Sequence, residues 1–445
     1  MCRAMLSIIP YAKLSRLALA SSLAISFVTI GSANFADAQQ YKSIPPQIQI
    51  RASRALRGKV NQAMRNGPFS AEGKQSIDGY YKKFYFPRMT QYDSQSLMLL
   101  GRLREDLMKS LRGAKVPKAQ EYLSQVAMGI CGKLARDNYH PAVRYNATLI
   151  LGQLDKQFPV SGANPVRPIA STASTEQLLD LLEQAEFNGV KVHPSVRVGA
   201  LEGLERHLRF GMDAQFSDRV TAASLSVLAQ DAKAIEIDPD VNNWMKCQAA
   251  KVLVRQFKEG PTKAVHDALT ALIADESMNL EDRCRVSGLL EAMTYTAGAE
   301  ADATATLLPL GNLTKDVVAE GADVARDFQS IILGEKPGVR RPRNLGRGDG
   351  PSGPKLERRQ LLSRLVQIEQ GASSLSNGMP DAEKQKLAEL TSLIEPVIKQ
   401  STNSKNYDDI DLIRAVIKLE NSVDTLIASW QPAAAPVGDD VDFGE

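Results

Sequence analysis

The sequence predicts an all-α fold. Apolar residues recur every three to four positions almost everywhere, and no stretch alternates apolar with polar residues long enough for a sheet. Gly, Pro or Asp sits at many of the breaks between periodic runs, as at Pro159, Gly189, Pro194, Gly211, Pro239, Gly260 and Pro261. The 445 residues are 43% hydrophobic and 24% charged, which excludes wholesale disorder, a collagen and a small disulfide-knit scaffold. Length alone allows about three domains.

The first element is an export signal over residues 1–38. Arg3, Lys13 and Arg16 precede Leu17 to Ile30, a run of 14 residues without a charge. At about 1.5 Å per residue such a run falls short of a hydrocarbon core of about 30 Å, so it reads as the apolar region of a secretory signal. Ala36-Asp37-Ala38 supplies the small residues of a cleavage site. Cleavage after Ala38 is expected to leave 407 residues, Gln39 to Glu445, exported to the periplasm or the extracellular space without an integral membrane span. An uncleaved anchor or a buried apolar helix is the alternative. Cys2 precedes the apolar run and no lipobox Cys follows it, which argues against a lipoprotein. Removal of Arg3, Lys13, Arg16 and Asp37 lowers the net charge from +3 to +1. That balance argues against a nucleic-acid partner, since phosphate recognition calls for a concentrated basic face. Cys131, Cys247 and Cys284 are too few and too odd in number for a disulfide framework, and buried thiols are expected, with a single bridge as the alternative.

Residues 39–93 follow as a polar leader, loose from Gln39 to Pro68, and an aromatic cluster, Tyr80-Tyr81-Lys82-Lys83-Phe84-Tyr85-Phe86-Pro87-Arg88. The cluster reads as a hydrophobic cap on the N-terminal end of a helical array. Its alternative is a sugar- or peptide-binding patch, with Tyr80, Tyr81, Phe84, Tyr85 and Arg88 as the partner-binding residues. Over 94–333 the periodicity places helices near 94–112, 118–136, 141–154, 174–187, 194–209, 214–230, 241–257, 262–274, 281–296 and 313–333. A Gly-, Pro- and Arg-rich stretch at 334–355 is expected to be a flexible basic linker. Helices near 356–376, 381–400 and 408–430 then form a three-helix unit, and 431–445 reads as an acidic disordered tail. Arg347-Gly348-Asp349, in the linker, spells an integrin-type tripeptide and is read as coincidence.

One pattern recurs inside the helices. His140-Pro-Ala-Val-Arg-Tyr-Asn-Ala is echoed 53 residues later by His193-Pro-Ser-Val-Arg-Val-Gly-Ala. Val143, Ala147, Leu151 and Leu154 share one helical face, as do Val196, Ala200, Leu204 and Leu208. Met245, Lys246, Ala249 and Leu253 form a third copy, and Arg283, Val286 and Leu290 a fourth in which Asp282 replaces the apolar residue. These copies, spanning about 118–296, resemble HEAT and HEAT-like repeats, whose second helix opens on a Pro or Asp turn followed by Val-Arg and a small residue. The resemblance implies paired antiparallel helices stacked into a curved right-handed α-solenoid. It also implies that the basic residue, here Arg144, Arg197, Lys246 or Arg283, ties neighbouring repeats together. The spacings of 53, 49 and 37 residues depart from the family's typical period.

Catalytic equipment is missing at the level of motif. There is no HExxH, P-loop, GxSxG, paired CxxC or strand-linked GxGxxG, and His140, His193, His207 and His266 never take helical metal-ligand spacing. No cofactor or metal is implied. Two glycosylation-like triplets, at Asn146 and Asn312, are read as accidental. The sequence therefore points to an exported, non-enzymatic helical-repeat scaffold that binds another protein. The rival is an α/α-toroid enzyme acting on polysaccharide, a lyase or glycoside hydrolase, whose Tyr, His, Arg or paired carboxylates are dispersed over many helices.

Overall fold

Prolines and capping side chains start the helices where the punctuation predicts. Pro117, Pro141, Pro194 and Pro239 each occupy a first helical turn, where the missing amide hydrogen has no intrahelical partner to lose. Ser171, Asp238, Thr262 and Asn279 accept a backbone N–H at their helix N-termini. The computed structural model describes residues 40–66, 68–159, 165–234, 236–333, 354–403 and 410–430. It divides into Met1–Gln40 and Tyr41–Glu445, and the account below concerns the second unit. The expected signal peptide, nearly all of the 334–355 linker with its Arg347-Gly348-Asp349, and the acidic tail lie outside the described residues.

The described residues are overwhelmingly helical, and the all-α expectation holds. After α1 (Ile50–Arg65) and α2 (Ala71–Ile77), a π-helix runs over Asp78–Tyr85 into α3 (Phe86–Met89) and α4 (Ser94–Arg112). Then come α5 (Pro117–Arg136), α6 (Pro141–Leu151), α7 (Thr172–Glu183), α8 (Pro194–Arg209), α9 (Ser217–Leu228) and α10 (Pro239–Gln256). The series continues through α11 (Lys263–Ala274), α12 (Leu280–Leu289) and α13 (Leu307–Leu333), and closes with α14 (Pro354–Leu375), α15 (Asp381–Asn403) and α16 (Ile410–Trp430). Three expectations change. Residues 50–65 of the supposed loose leader form a helix, because Val60 and Met64 recur at helical spacing and are buried. Leu154 is buried, but beyond the end of α6. Two short antiparallel ribbons also appear: β1 (Asp155–Gln157) with β2 (Ile169–Ala170), and β3 (Glu186–Phe187) with β4 (Val190–Lys191). The second turns through Asn188 and Gly189, both at positive φ, the sequence that a two-residue hairpin favours.

The packing between α5 and α14 follows two rows. The even row runs α6, α8, α10, α12, α14, each helix packed on the next, while α5, α7, α9, α11 and α13 form the odd row. Helices of one row also pack against the other, as α5 on α6, α7 on α8, α9 on α10 and α11 on α12. Val143, Ala147, Val196, Ala200 and Ala249 are fully buried between the rows. At the N-terminal end, α1 and α2 pack on α5; at the other end, α16 lies along α13 and α15 joins α14 to α16.

Candidate functional site

The four recurring bases come to the C-terminal ends of odd-row helices. Arg144 donates from Nε to the Ala135 carbonyl at 3.0 Å and from Nη2 to the Lys191 carbonyl of the β3–β4 hairpin at 3.0 Å, so it links α5 to the segment before α8. Arg283, buried, donates to the Ile273 carbonyl at 2.9 Å and pairs with Asp316 of α13 at 2.8 Å. Arg197 reaches the Gln184 carbonyl after α7 at 3.5 Å, the longest of the hydrogen bonds these bases make. Lys246 passes over α9, its own odd-row neighbour, and faces Asp275 after α11 at 3.9 Å. A cation there meets carbonyls that the helix leaves unpaired and the negative end of its dipole.

The aromatic residues proposed to bind a partner are in the core. Tyr80, Tyr81, Phe84 and Tyr85 are each at most 8% exposed, packed edge-to-face and tilted against one another. The Tyr85 hydroxyl donates to the Leu103 carbonyl, which ties the π-helix to α4. Arg88 covers the Phe84 ring, with 5.4 Å from guanidinium carbon to ring centroid. As folded, these tyrosines and Phe84 offer no contact area to a partner; their rings hold the N-terminal helices together.

The histidines are occupied too. His140 and His193 cap α6 and α8, each accepting a backbone N–H on Nδ1 at 3.2 Å. His207 is buried with Nδ1 2.8 Å from the Thr175 hydroxyl, and burial together with the Arg206 charge pushes its pKa down to about 3. His266 lies buried between Tyr295, Thr306 and the Asp302 carbonyl. No group of three metal-ligating side chains occurs among the described residues. Cys131, Cys247 and Cys284 are buried free thiols, and burial raises the pKa of Cys247 and Cys284 to about 12.

Sequence reasoning missed a polar stripe across the even row. On α10, Trp244, Gln248, Lys251 and Arg255 repeat at three- and four-residue spacing, and Trp244 is 39% exposed. Beside them on α8, Glu205 accepts from Arg255 at 3.2 Å and from Arg209 at 2.8 Å. Tyr145 of α6 donates to Glu202 of α8 at 3.3 Å. Burial raises the Glu202 pKa against the opposing hydrogen bond and the fields of Lys251 and Arg104, and it pushes Tyr145 up to about 12. The signal was present in the repeat: Tyr145 and Glu202 are 57 residues apart, one repeat shift of 53 plus one helical turn. Chemically the stripe offers a flat indole, a phenol donor and charges of both signs. Glu205 is held by two arginines.

The described residues also hold a second feature. A cleft of about 560 Å³ between α5 and the start of α7 is lined by Gln120, Ser124, Met128, Asp155, Phe158 and Thr172. Asp155 is committed: Arg206 meets both carboxylate oxygens at 2.8 Å while burial raises its pKa. Asn146, from one of the glycosylation-like triplets, is buried and accepts from Arg104 at 2.7 Å, so its side chain is closed to a modifying enzyme in the folded protein. Compared with known proteins, the chain matches no family model and no curated sequence. No helix among the described residues is long and apolar enough to cross a membrane.

Proposed function

We propose that the chain is an exported, non-enzymatic scaffold, a HEAT-like α-solenoid whose even-row face binds another protein. The observation that carries this reading is the exposed Trp244 on a stripe with Lys251 and Arg255, beside the Tyr145–Glu202 pair. Trp, Tyr and Arg supply most hot-spot energy at protein interfaces, and an exposed indole rimmed by charges is an anchor of that kind. Three further observations support the solenoid reading. The helices succeed one another in two rows, the recurring bases join consecutive pairs, and no extensive packing joins α1–α4 to α14–α16 among the described residues. Ends that stay apart favour an open array over the closed ring of the α/α-toroid rival.

A photo-crosslinking residue at Gln248, on the stripe, tests the reading against one at Ala271, exposed on the odd-row helix α11. In the native envelope fraction the Gln248 position should capture one reproducible protein and the Ala271 position should not. Trp244→Ala should weaken that capture by about tenfold or more. Equal labelling from both positions, or none from either, refutes the proposed face. Recovery of the intact mature protein with Gln39 as its first residue tests export, and a chain still beginning at Met1 refutes it.

A further inference from the structure

The whole-chain charge conceals a strongly basic N-terminal module. Between Tyr41 and Tyr92 there are ten Lys and Arg and only Glu72 and Asp78 as acids, a net +8 in a chain whose total is +3. Glu72 is taken by Lys59 at 3.5 Å and Asp78 by Lys82 at 2.8 Å. Arg51, Arg54, Arg57 and Arg65 of α1, with Lys74 and Lys83, are exposed, and none of the six has an ion-pair partner among the described residues.

Their arrangement is as informative as their number. Helix α1 buries Ser53, Val60 and Met64 on one side and turns Arg51, Arg54 and Arg65 outward, with only Ala55, Gly58 and Gln62 between them. From Arg51 to Arg65 the helix covers about 21 Å in a straight line. Apolar side chains accompany the cations: Ile50, next to Arg51, is 64% exposed, and Ile44 is 40% exposed. Beside α1 a cleft of about 600 Å³ mixes the same chemistries, with Lys59, Lys74 and Lys83 alongside Ile48 and Leu56.

We propose that this module docks on an anionic bilayer surface, with the arginines of α1 at the lipid phosphates and Ile50 and Ile44 entering the headgroup layer. The straight, outward row of bases on α1 fits a plane; the cleft beside it carries Glu72 and Asp78 among its lining, which disfavours an acidic peptide there, and nucleic acid would leave the isoleucines exposed. Basic segments gather at anionic membranes through summed attraction, and neighbouring apolar side chains add to it. The docking is peripheral, in keeping with the lack of a spanning helix among the described residues. It is also independent of the scaffold reading, since vesicle binding and partner capture are read separately.

The test is flotation of the full mature chain with vesicles of phosphatidylcholine alone or with about a third phosphatidylglycerol. Binding is expected to the anionic vesicles only, and to weaken as salt screens the charges. Each base removed should weaken binding by about fivefold, so Arg51→Gln, Arg54→Gln and Arg65→Gln together should lower it on the order of a hundredfold. Lys258→Gln, Lys384→Gln and Lys399→Gln make the same charge change at exposed positions outside the module and should leave binding near wild type. Ile50→Ser should weaken it further at fixed charge. Equal binding to neutral vesicles, equal loss in both triple variants, or binding to soluble polyglutamate or duplex DNA without vesicle binding would overturn the proposal.

Discussion

Replacing Gly203 with Ala probes the stacking of α8 on α6. A Cβ at Gly203 would sit 2.8 Å from Leu178 Cδ1 and 2.9 Å from Gly152 Cα, and a Cβ at Gly152 would sit 2.6 Å from Gly203 Cα. Leu178 can rotate away, but the Gly152 backbone moves only if α6 moves with it. Overpacking of this kind costs about 1–3 kcal/mol. The same substitution lowers the backbone entropy cost of the helix, a gain of about 1 kcal/mol at most. The net expectation is a loss of up to about 2 kcal/mol. Gly129, inside α5, has no atom within 4 Å of its would-be Cβ, so Gly129→Ala keeps the gain without the clash. Urea unfolding followed by circular dichroism should therefore move the two variants in opposite directions from wild type, Gly203→Ala down and Gly129→Ala up. A Gly203→Ala midpoint at or above that of Gly129→Ala would show that α6 and α8 do not approach so closely, and the even row would lose its support.

Other substitutions test separate parts of the structure. Ala200→Glu places a charge at a fully buried site and should melt well below Ala271→Glu, a change on an exposed face of α11; coincident melting would contradict the repeat assignment. Arg206→Leu leaves Asp155 buried without its partner and should cost about 3–5 kcal/mol, much of it recovered when Asp155→Leu is added; equal stabilities for the two variants would refute the pairing. His207 stays neutral in the folded state down to about pH 3, whereas in the unfolded chain it takes up a proton below its ordinary pKa of 6.5. Lowering the pH from 6.5 toward 3 therefore favours unfolding, and urea midpoints should fall more between pH 7 and pH 5 for wild type than for His207→Asn. Identical falls would place that histidine in water.

Much of the helical layout was readable in the sequence because it depends on local chemistry. The starts at Ser94 and Pro194 follow from proline and capping residues acting within a single turn. The burial of Val143, Ala147, Val196 and Ala200 follows from spacing alone, since residues three and four apart share a helical face. The recurring base was also legible, as a residue type at a repeated position. Its contacts were not: Arg283 found Ile273 and Asp316, whereas Lys246 found Asp275, at the end of α11 in the next pair.

What remained hidden depends on which helices meet. The aromatic run could be a cap or a binding patch until the π-helix turned Tyr80, Tyr81, Phe84 and Tyr85 inward together. Trp244 falls on the helical face of Gln248, Lys251 and Arg255, a sign of exposure that could be read locally, but which helices flank that face could not. The Tyr145–Glu202 pair and the Asp155–Arg206 pair join residues more than 50 positions apart, brought within hydrogen-bond reach by the stacking of α6 on α8. The sequence by itself determined an all-α chain, most of its helix boundaries and the apolar stripe of each helix, since these are set by interactions within a few residues. Only the tertiary structure decided which aromatic rings face solvent, which charges are spent on one another and which, like the arginines of α1, are left for a partner, because exposure is a property of the packed molecule.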